Sequence, residues 1–237
     1  GGCILPGLVD DWLMVVLCYI YVVSMILLSS RLSGFGGSQE VSRKFLHAMI
    51  GNLVFFIPFF RWGLSPFLVA GPFIAVTFLA SPLSPWGFLR ERLRGLSELT
   101  EEGHHTGLIL YSISFSLLAL LYAPMPYVIA SGVLPMAYGD SAAALVGQRM
   151  GRRKYRLVTE KSLEGSLAMF IASFLILFVS SLYFSNFYSF SVGGKLLSFL
   201  AVSVVVTVVE AISPRGLDNI SVPLTGALTF LMVDGWL

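Results

Sequence analysis

Four acidic residues lie within or beside long apolar segments: Asp140, Glu164, Glu210 and Asp218. A carboxylate in a membrane interior costs about 3 kcal/mol on insertion scales unless a partner, an ion or water offsets the cost. Carboxylate oxygens are hard ligands that suit magnesium bound together with nucleotide phosphates. Phosphoryl transfer needs little more than that metal, cations on the phosphates and a base near the acceptor hydroxyl. The acidic residues therefore predict phosphoryl-transfer chemistry.

Of the four carboxylates, Asp140 is the most costly to place in a membrane, because it lies inside an apolar segment. Segment 124–148 is apolar and long enough to cross a bilayer, and a regular helix places Asp140 roughly 12 Å inside its end. Pro135 removes a backbone hydrogen bond and Gly139 loosens the chain, so we expect the helix to be broken there. As a structural alternative, small residues at every fourth position form a helix-packing face across which Asp140 only hydrogen-bonds: Gly139, Ala143 and Gly147.

A basic connector follows that segment. Residues 149–161 hold six of the fifteen lysines and arginines, and we expect Arg152, Arg153 and Lys154 to bind phosphates. The alternative is membrane orientation or attraction to anionic lipid. Lys161 and Glu164 begin the next apolar segment, where a helix N-terminus offers N–H groups to a phosphate. The structural alternative is that Lys161 and Glu164 form only a local salt bridge.

Two further groups of polar residues complete the candidate site. Arg43, Lys44 and His47 share one helical face, which we expect to bind phosphate or substrate. The structural alternative is that the two cations anchor the helix at lipid headgroups and that His47 is a packing histidine. Glu210 ends an apolar run and has no such structural explanation. Asp218 is either a metal ligand, beside Asn219, or an N-cap of the last apolar segment.

The elements that must position these groups are membrane helices. The chain has 237 residues, 56% hydrophobic and 12% charged, with mean hydropathy +0.84. We expect one all-α polytopic transmembrane bundle over residues 1–237, with seven or eight spans. The candidate segments are 12–30, 45–60, 64–80, 105–122, 124–148, 163–184, 196–213 and 219–236.

The distribution of cations predicts the orientation of this bundle. All lysines and arginines except Arg61 and Lys195 fall in the odd-numbered connectors, which the positive-inside rule makes cytoplasmic. The carboxylates then converge at the cytoplasmic leaflet. Leucines at helical spacing in 87–102 predict a short amphipathic helix on that surface. Two cysteines, Cys3 and Cys18, imply neither a disulfide framework nor a metal cluster.

In these residues the chain resembles the integral-membrane CTP-dependent lipid-alcohol kinases, which include dolichol kinase, phytol kinase and the yeast-type diacylglycerol kinase. The matching pieces occur in order between residues 40 and 223. They are Glu40-Val-Ser-Arg43-Lys44-Phe-Leu-His47, Gly139-Asp140-Ser141-Ala-Ala-Ala with Gly147-x-x-x-Gly151, Lys161-Ser162-Leu163-Glu164-Gly165, and Glu210-Ala-Ile-Ser-Pro-Arg-Gly-Leu-Asp218-Asn219-Ile-Ser-Val-Pro223.

The resemblance implies that CTP, with Mg²⁺, phosphorylates a membrane lipid alcohol such as a polyprenol or dolichol at the cytoplasmic surface. The candidate metal ligands are then Asp140 and Asp218, with Asn219 or Glu210, and the candidate base is Glu164 or Glu210. The nucleotide would be held by Arg43, Lys44, His47, Arg152, Arg153, Lys154, Lys161 and Ser162. No nucleic-acid partner is expected, and the oligomeric state stays open.

Two alternatives use the same residues. One is cytidylyl transfer to a lipid phosphate, although the chain offers only Gly216-Leu217-Asp218-Asn219 where those enzymes carry a longer signature. The other is a transporter of lipid phosphate or another anion, against which the absence of an internal repeat counts.

Overall fold

The chain folds almost entirely into helices in a computed structural model that describes residues 10–34, 39–92, 106–214 and 216–235. The α-helices are α1 (Asp11–Gly34), α2 (Gln39–Gly51), α3 (Ser65–Ala70), α4 (Pro72–Ala80), α5 (Gly87–Arg92), α6 (Gly107–Tyr122), α7 (Pro126–Leu134), α8 (Asp140–Met150), α9 (Leu163–Phe184), α10 (Leu196–Ile212) and α11 (Asp218–Asp234). Two 3₁₀ stretches extend α2 and precede α10, Asn52–Phe59 and Gly193–Lys195. The described residues include two short strands, β1 (Lys154–Arg156) and β2 (Glu160–Ser162).

Within the described ranges, four helical stretches are long and apolar enough to cross a membrane: Asp11–Leu32, Pro126–Met150, Leu163–Phe184 and Gly193–Ile212. Two shorter apolar stretches accompany them, Ser65–Ala80 and Gly107–Tyr122. The helical fold predicted from the sequence is thus confirmed, while the count of seven or eight membrane spans stays a prediction.

The stretch that carries Asp140 is the central one. Two thirds of its apolar window is buried, against 28–39% for the other three. Gly132 lets it approach α11 closely, since a Cβ at that position would lie 2.2 Å from the Pro223 carbonyl oxygen. Asp140 is therefore surrounded by protein on most sides of its helix.

The helix is not broken before Asp140, contrary to the expectation from Pro135 and Gly139. α7 continues into α8 through a π turn, Pro135–Gly139, in which the Asp140 N–H donates to the Pro135 carbonyl. Such a turn accommodates one extra residue without ending the helix. The backbone therefore stays helical up to the carboxylate.

The small-residue face predicted around Asp140 packs against α9. A Cβ on Gly139 would lie 2.5 Å from Ser173 Oγ, and one on Gly165 of α9 would lie 2.9 Å from the Ala143 carbonyl oxygen. The close packing predicted for this segment is therefore present. One side of the helix makes the close packing, and Asp140 faces a cavity.

The basic connector forms a β-hairpin, not an irregular loop. β1 and β2 pair antiparallel, with Tyr155 opposite Lys161. Tyr155 Oη lies 2.6 Å from Ser166 Oγ of α9, and the Leu163 N–H donates to the Arg153 carbonyl. These contacts fix the hairpin to the first turns of α9, and with it the position of Lys161.

The predicted amphipathic helix over 87–102 is observed only in its first part, as α5. Its remainder lies in residues 93–105, outside the described part of the chain, as do Cys3 and Arg215. Cys18 is buried in the apolar core of α1.

Candidate active site

A polar cavity of about 250 Å³ opens at one end of the bundle. Its walls come from α2, the start of α6, α8, the hairpin with the first turn of α9, the end of α10 and the start of α11. It brings together most of the residues singled out in the sequence: Arg43, Lys44, His47, Asp140, Lys154, Lys161, Ser162, Glu210, Asp218 and Asn219. Segments up to 176 residues apart in the sequence therefore meet at one end of the bundle.

Lys44 and Asp140 form a nearly buried ion pair. Lys44 Nζ lies 2.5 Å from Asp140 Oδ2, and the side chains are 9% and 15% exposed. Ser141 Oγ donates to the Lys44 carbonyl oxygen, which ties α2 to α8 next to the pair. Lys44, predicted to face phosphate, thus has the Asp140 carboxylate as its partner.

Lys161 and Glu210 form a second ion pair on the same cavity. Glu210 is 2% exposed. Burial opposes the charged form of Lys161, but the attraction of Glu210 and of two further carboxylates outweighs burial and raises the pKa of the Lys161 ammonium. Lys161 therefore stays charged at neutral pH. The alternative of a local salt bridge to Glu164 is not observed, because Lys161 belongs to β2 and pairs with Glu210.

Asn219 is positioned by a proline one turn further along α11. Pro223 has no N–H to donate to the Asn219 carbonyl, and Ser114 Oγ of α6 donates to that oxygen instead, at 2.8 Å. Asp218 begins the helix, and its Oδ1 accepts the Asn219 N–H at 3.0 Å. Both side chains line the cavity opposite α2.

His47 lies deeper along α2, in contact with α6 and the π turn. Its ring packs on Tyr111 with a centroid separation of 4.5 Å, and it hydrogen-bonds the Met136 backbone. Its Nε2 atom is buried and has no hydrogen-bond partner. The expectation of a packing histidine is thus met at the ring face and at one nitrogen, but not at Nε2.

Three predicted site residues do not line the cavity. Glu164 is on its outer side, where its carboxylate accepts the Arg153 N–H at 3.2 Å. The side chains of Arg152 and Arg153 are exposed on the connector before β1. Of the two carboxylates considered as bases, only Glu210 borders the cavity.

The N-terminus of α9 does not present the free N–H groups that were expected for a phosphate. The Leu163 N–H donates to the Arg153 carbonyl, and the Gly165 N–H donates to Ser162 Oγ at 3.1 Å. The Glu164 carboxylate takes its own N–H. Ser162 is therefore the N-cap of α9 as well as part of the cavity wall.

The donor set of the cavity fits a magnesium ion that arrives with a nucleotide. No group of three histidine, cysteine, aspartate or glutamate side chains within the described ranges is close enough to hold a metal by itself. Magnesium, however, is commonly bound through one or two carboxylates plus substrate phosphates. Asp140 and Asp218, with the Asn219 amide, offer oxygen ligands of this kind.

Glu40 and Gln148 are among the lining residues that were missed as site residues in the sequence. Gln148 Nε2 donates to the Glu40 carboxylate, and this contact joins α8 to α2 at the cavity. Glu40 could have been predicted as a site residue, because it lies at the start of the helix that carries Arg43 and Lys44. No sequence signal pointed to Gln148, which is 108 residues away from Glu40.

Comparison with known proteins gives several similar sequences. The chain is 34% identical over 232 residues to phytol kinase of Synechocystis sp., covering 94% of this chain and 92% of that protein. It is 30% identical to probable phytol kinase 3, chloroplastic, of Glycine max and 29% identical to farnesol kinase, chloroplastic, of Arabidopsis thaliana. These matches cover 80% of this chain and 62% and 64% of the plant proteins. No family model matches the sequence, and no solved structure matches it.

Proposed function

The chain belongs to the family of lipid-alcohol kinases, and we propose that it transfers the γ-phosphate of CTP, with Mg²⁺, to the hydroxyl of an isoprenoid alcohol. One observation supports the proposal above all others. Asp140, Lys161 and Asp218 come from separate segments and line one cavity that is both acidic and basic. The relatives are named as kinases, which favours this reaction over cytidylyl transfer.

Asp140, Asp218 and the Asn219 amide would hold Mg²⁺. The ion supplies charge neutralisation on the phosphates of the nucleotide. Lys161 and Lys154 line the same cavity and would contact phosphate oxygens. Lys44, beside Asp140, adds a positive charge at the place where negative charge develops during transfer.

In the proposed reaction a bond forms between the alcohol oxygen and the γ-phosphorus. The bond from that phosphorus to the β–γ bridging oxygen breaks, CDP leaves with that oxygen, and the hydroxyl proton passes to a base. Glu210 meets the condition of bordering the cavity, which Glu164 does not. Glu210 is, however, engaged by Lys161, so its clear contribution is to hold that lysine in place.

The proposed acceptor is an isoprenoid alcohol of the phytol or farnesol class. The names of the relatives support these shorter alcohols, whereas a polyprenol or dolichol acceptor has no such support and becomes an arm of the test.

We place the cavity at the cytoplasmic face. Lys195 and Glu210 stand at opposite ends of α10, about 22 Å apart, and most cations lie at the Glu210 end.

The experiment incubates the purified protein with labelled CTP, Mg²⁺ and a panel of phytol, farnesol, geranylgeraniol, a polyprenol and diacylglycerol. CDP and a lipid monophosphate are expected with phytol or farnesol. Pyrophosphate release would show cytidylyl transfer, and no product with any acceptor would overturn the proposal. Replacing CTP by ATP tests the choice of nucleotide.

The matched variant is Asp140→Asn, which keeps a hydrogen-bond acceptor for Lys44 but removes the charge. We expect loss of CDP release with normal membrane insertion. Full activity in this variant would remove Asp140 from the proposed metal site.

A further inference from the structure

A second, apolar cavity lies directly behind His47. We infer that this cavity binds the hydroxyl end of the acceptor alcohol and that the hydroxyl donates its hydrogen to His47 Nε2. The inference rests on the proposed function, because it assigns the acceptor side of the same site.

The apolar cavity has a volume of about 100 Å³ and is enclosed by α1, α2, α3, α4 and α6. Its wall is formed mainly by aliphatic and aromatic side chains, including Ile50, Phe73, Val76 and Phe115. Two hydroxyl groups in the wall are directed at their own helices. Thr77 Oγ1 donates to the Phe73 carbonyl at 2.7 Å, and Ser112 Oγ donates to the Leu108 carbonyl at 3.1 Å. The wall therefore suits a hydrocarbon chain.

The apolar and polar cavities share part of their lining. Arg43, His47 and Leu108 border both of them. A molecule with a hydrocarbon body and one hydroxyl group could therefore extend from the first cavity to the second, with the hydroxyl beside these residues. An isoprenoid alcohol has this shape, and a nucleotide does not.

His47 presents a hydrogen-bond acceptor at this boundary. Its side chain bonds the Met136 backbone, and Nε2 is the ring nitrogen without a partner. We assign the Met136 bond to Nδ1 because Nε2 has no partner, and the neutral imidazole then carries its lone pair on Nε2. Met136 belongs to the π turn, so the turn that leads to Asp140 also sets the orientation of His47.

The assignment settles where the proton goes during transfer. As the alcohol oxygen bonds to the γ-phosphorus, its hydrogen passes to His47 Nε2, which becomes an imidazolium. Glu210 remains bound to Lys161, and CDP leaves with the bridging oxygen. No other reactant is required.

The size of the apolar cavity limits what it holds. Pockets that bury whole small molecules measure about 300–1,000 Å³. A cavity of about 100 Å³ therefore encloses only the first carbons next to the hydroxyl, and the rest of the isoprenoid extends into the membrane. Selectivity should then depend on branching near the hydroxyl more than on total chain length.

The first test measures binding of tritiated farnesol to the purified protein without nucleotide. Val76→Trp fills the apolar cavity, and Ala75→Trp places the same side chain on the exposed side of α4. We expect Val76→Trp to weaken binding roughly 10- to 100-fold, the range that overpacking commonly costs, and Ala75→Trp to leave it unchanged. Equal binding by both variants would overturn the cavity assignment.

Two controls keep this test informative. CTP affinity and the melting temperature report whether Val76→Trp folds, and Val76→Phe replaces it if it does not. The binding readout does not require turnover. Failure of the wild type to phosphorylate any alcohol would therefore refute the proposed function, while the farnesol result would still decide the cavity.

The second test concerns His47. His47→Gln keeps a hydrogen-bond acceptor but cannot take up a proton, and His47→Phe keeps only the ring shape. We expect kcat to fall about 100-fold or more in both, as for loss of a general base, with farnesol binding retained in His47→Gln and weakened in His47→Phe. Normal kcat in His47→Gln would show that the proton goes elsewhere.

Discussion

Breaking the Lys44–Asp140 pair should destabilise the protein strongly, and Lys44→Met is the simplest way to break it. The two charged atoms are 2.5 Å apart with little solvent around them. At an effective dielectric constant of about 20, their attraction is about 7 kcal/mol, which desolvation of both ions offsets in large part. Removing one partner leaves Asp140 buried without its cation, and such changes cost about 3–5 kcal/mol. For a chain of this size the melting temperature should fall by roughly 6–20 °C.

The assay is thermal unfolding in detergent or nanodiscs, with two companion variants. Lys154→Met removes an exposed lysine from the same cavity and should leave the melting temperature unchanged. The double variant Lys44→Met with Asp140→Leu removes both charges and should recover most of the lost stability, although it should have no kinase activity. A double variant that melts as low as Lys44→Met would refute the argument, because the cost would then not come from an uncompensated carboxylate.

Three other predictions concern the remaining contacts. Glu164→Gln should leave kcat nearly unchanged, whereas Glu210→Gln should lower kcat/KM for CTP about 100-fold because Lys161 loses its orientation. Similar kinetics for the two variants would contradict the placement of these carboxylates. Gly165→Ala should lower the unfolding free energy by about 1–3 kcal/mol, because the new Cβ lies 2.9 Å from a backbone oxygen of α8, while Gly193→Ala, which meets its nearest atom at 3.8 Å, should not change the melting curve. Chelation of divalent cations should stop CDP release, and Mg²⁺ but not Ca²⁺ should restore it, since Mg²⁺ demands a tighter octahedral site; undiminished release in a chelator would exclude the proposed metal role.

The sequence allowed the location of the site to be predicted, because membrane topology restricts where charges can lie. Once the cations assign the connectors to one face, Asp140, Glu210 and Asp218 must come to that same face. Composition alone made the helical fold a secure prediction. The boundaries of individual spans were less certain, because short apolar helices such as α6 do not reach the length of a full span.

The pairing of charges could not be predicted in this way. Lys44 and Asp140 are 96 residues apart, and a single sequence carries no signal that they meet. The sequence offered Glu164 as the possible partner of Lys161, because strands of three residues are too short for alternation to reveal β2. Once β2 forms, the lysine side chain is directed at α10 and Glu210.

The π turn before Asp140 gives this segment a strict requirement on residue count. Each residue of an α-helix turns the chain by about 100°, and Pro135–Gly139 adds one residue to the turn just before Asp140, whose carboxylate meets Lys44. Deleting one residue here would restore a regular helix and rotate everything after it. An insertion or deletion in this turn should therefore separate Asp140 from Lys44, and homologous proteins should keep the length of this segment constant.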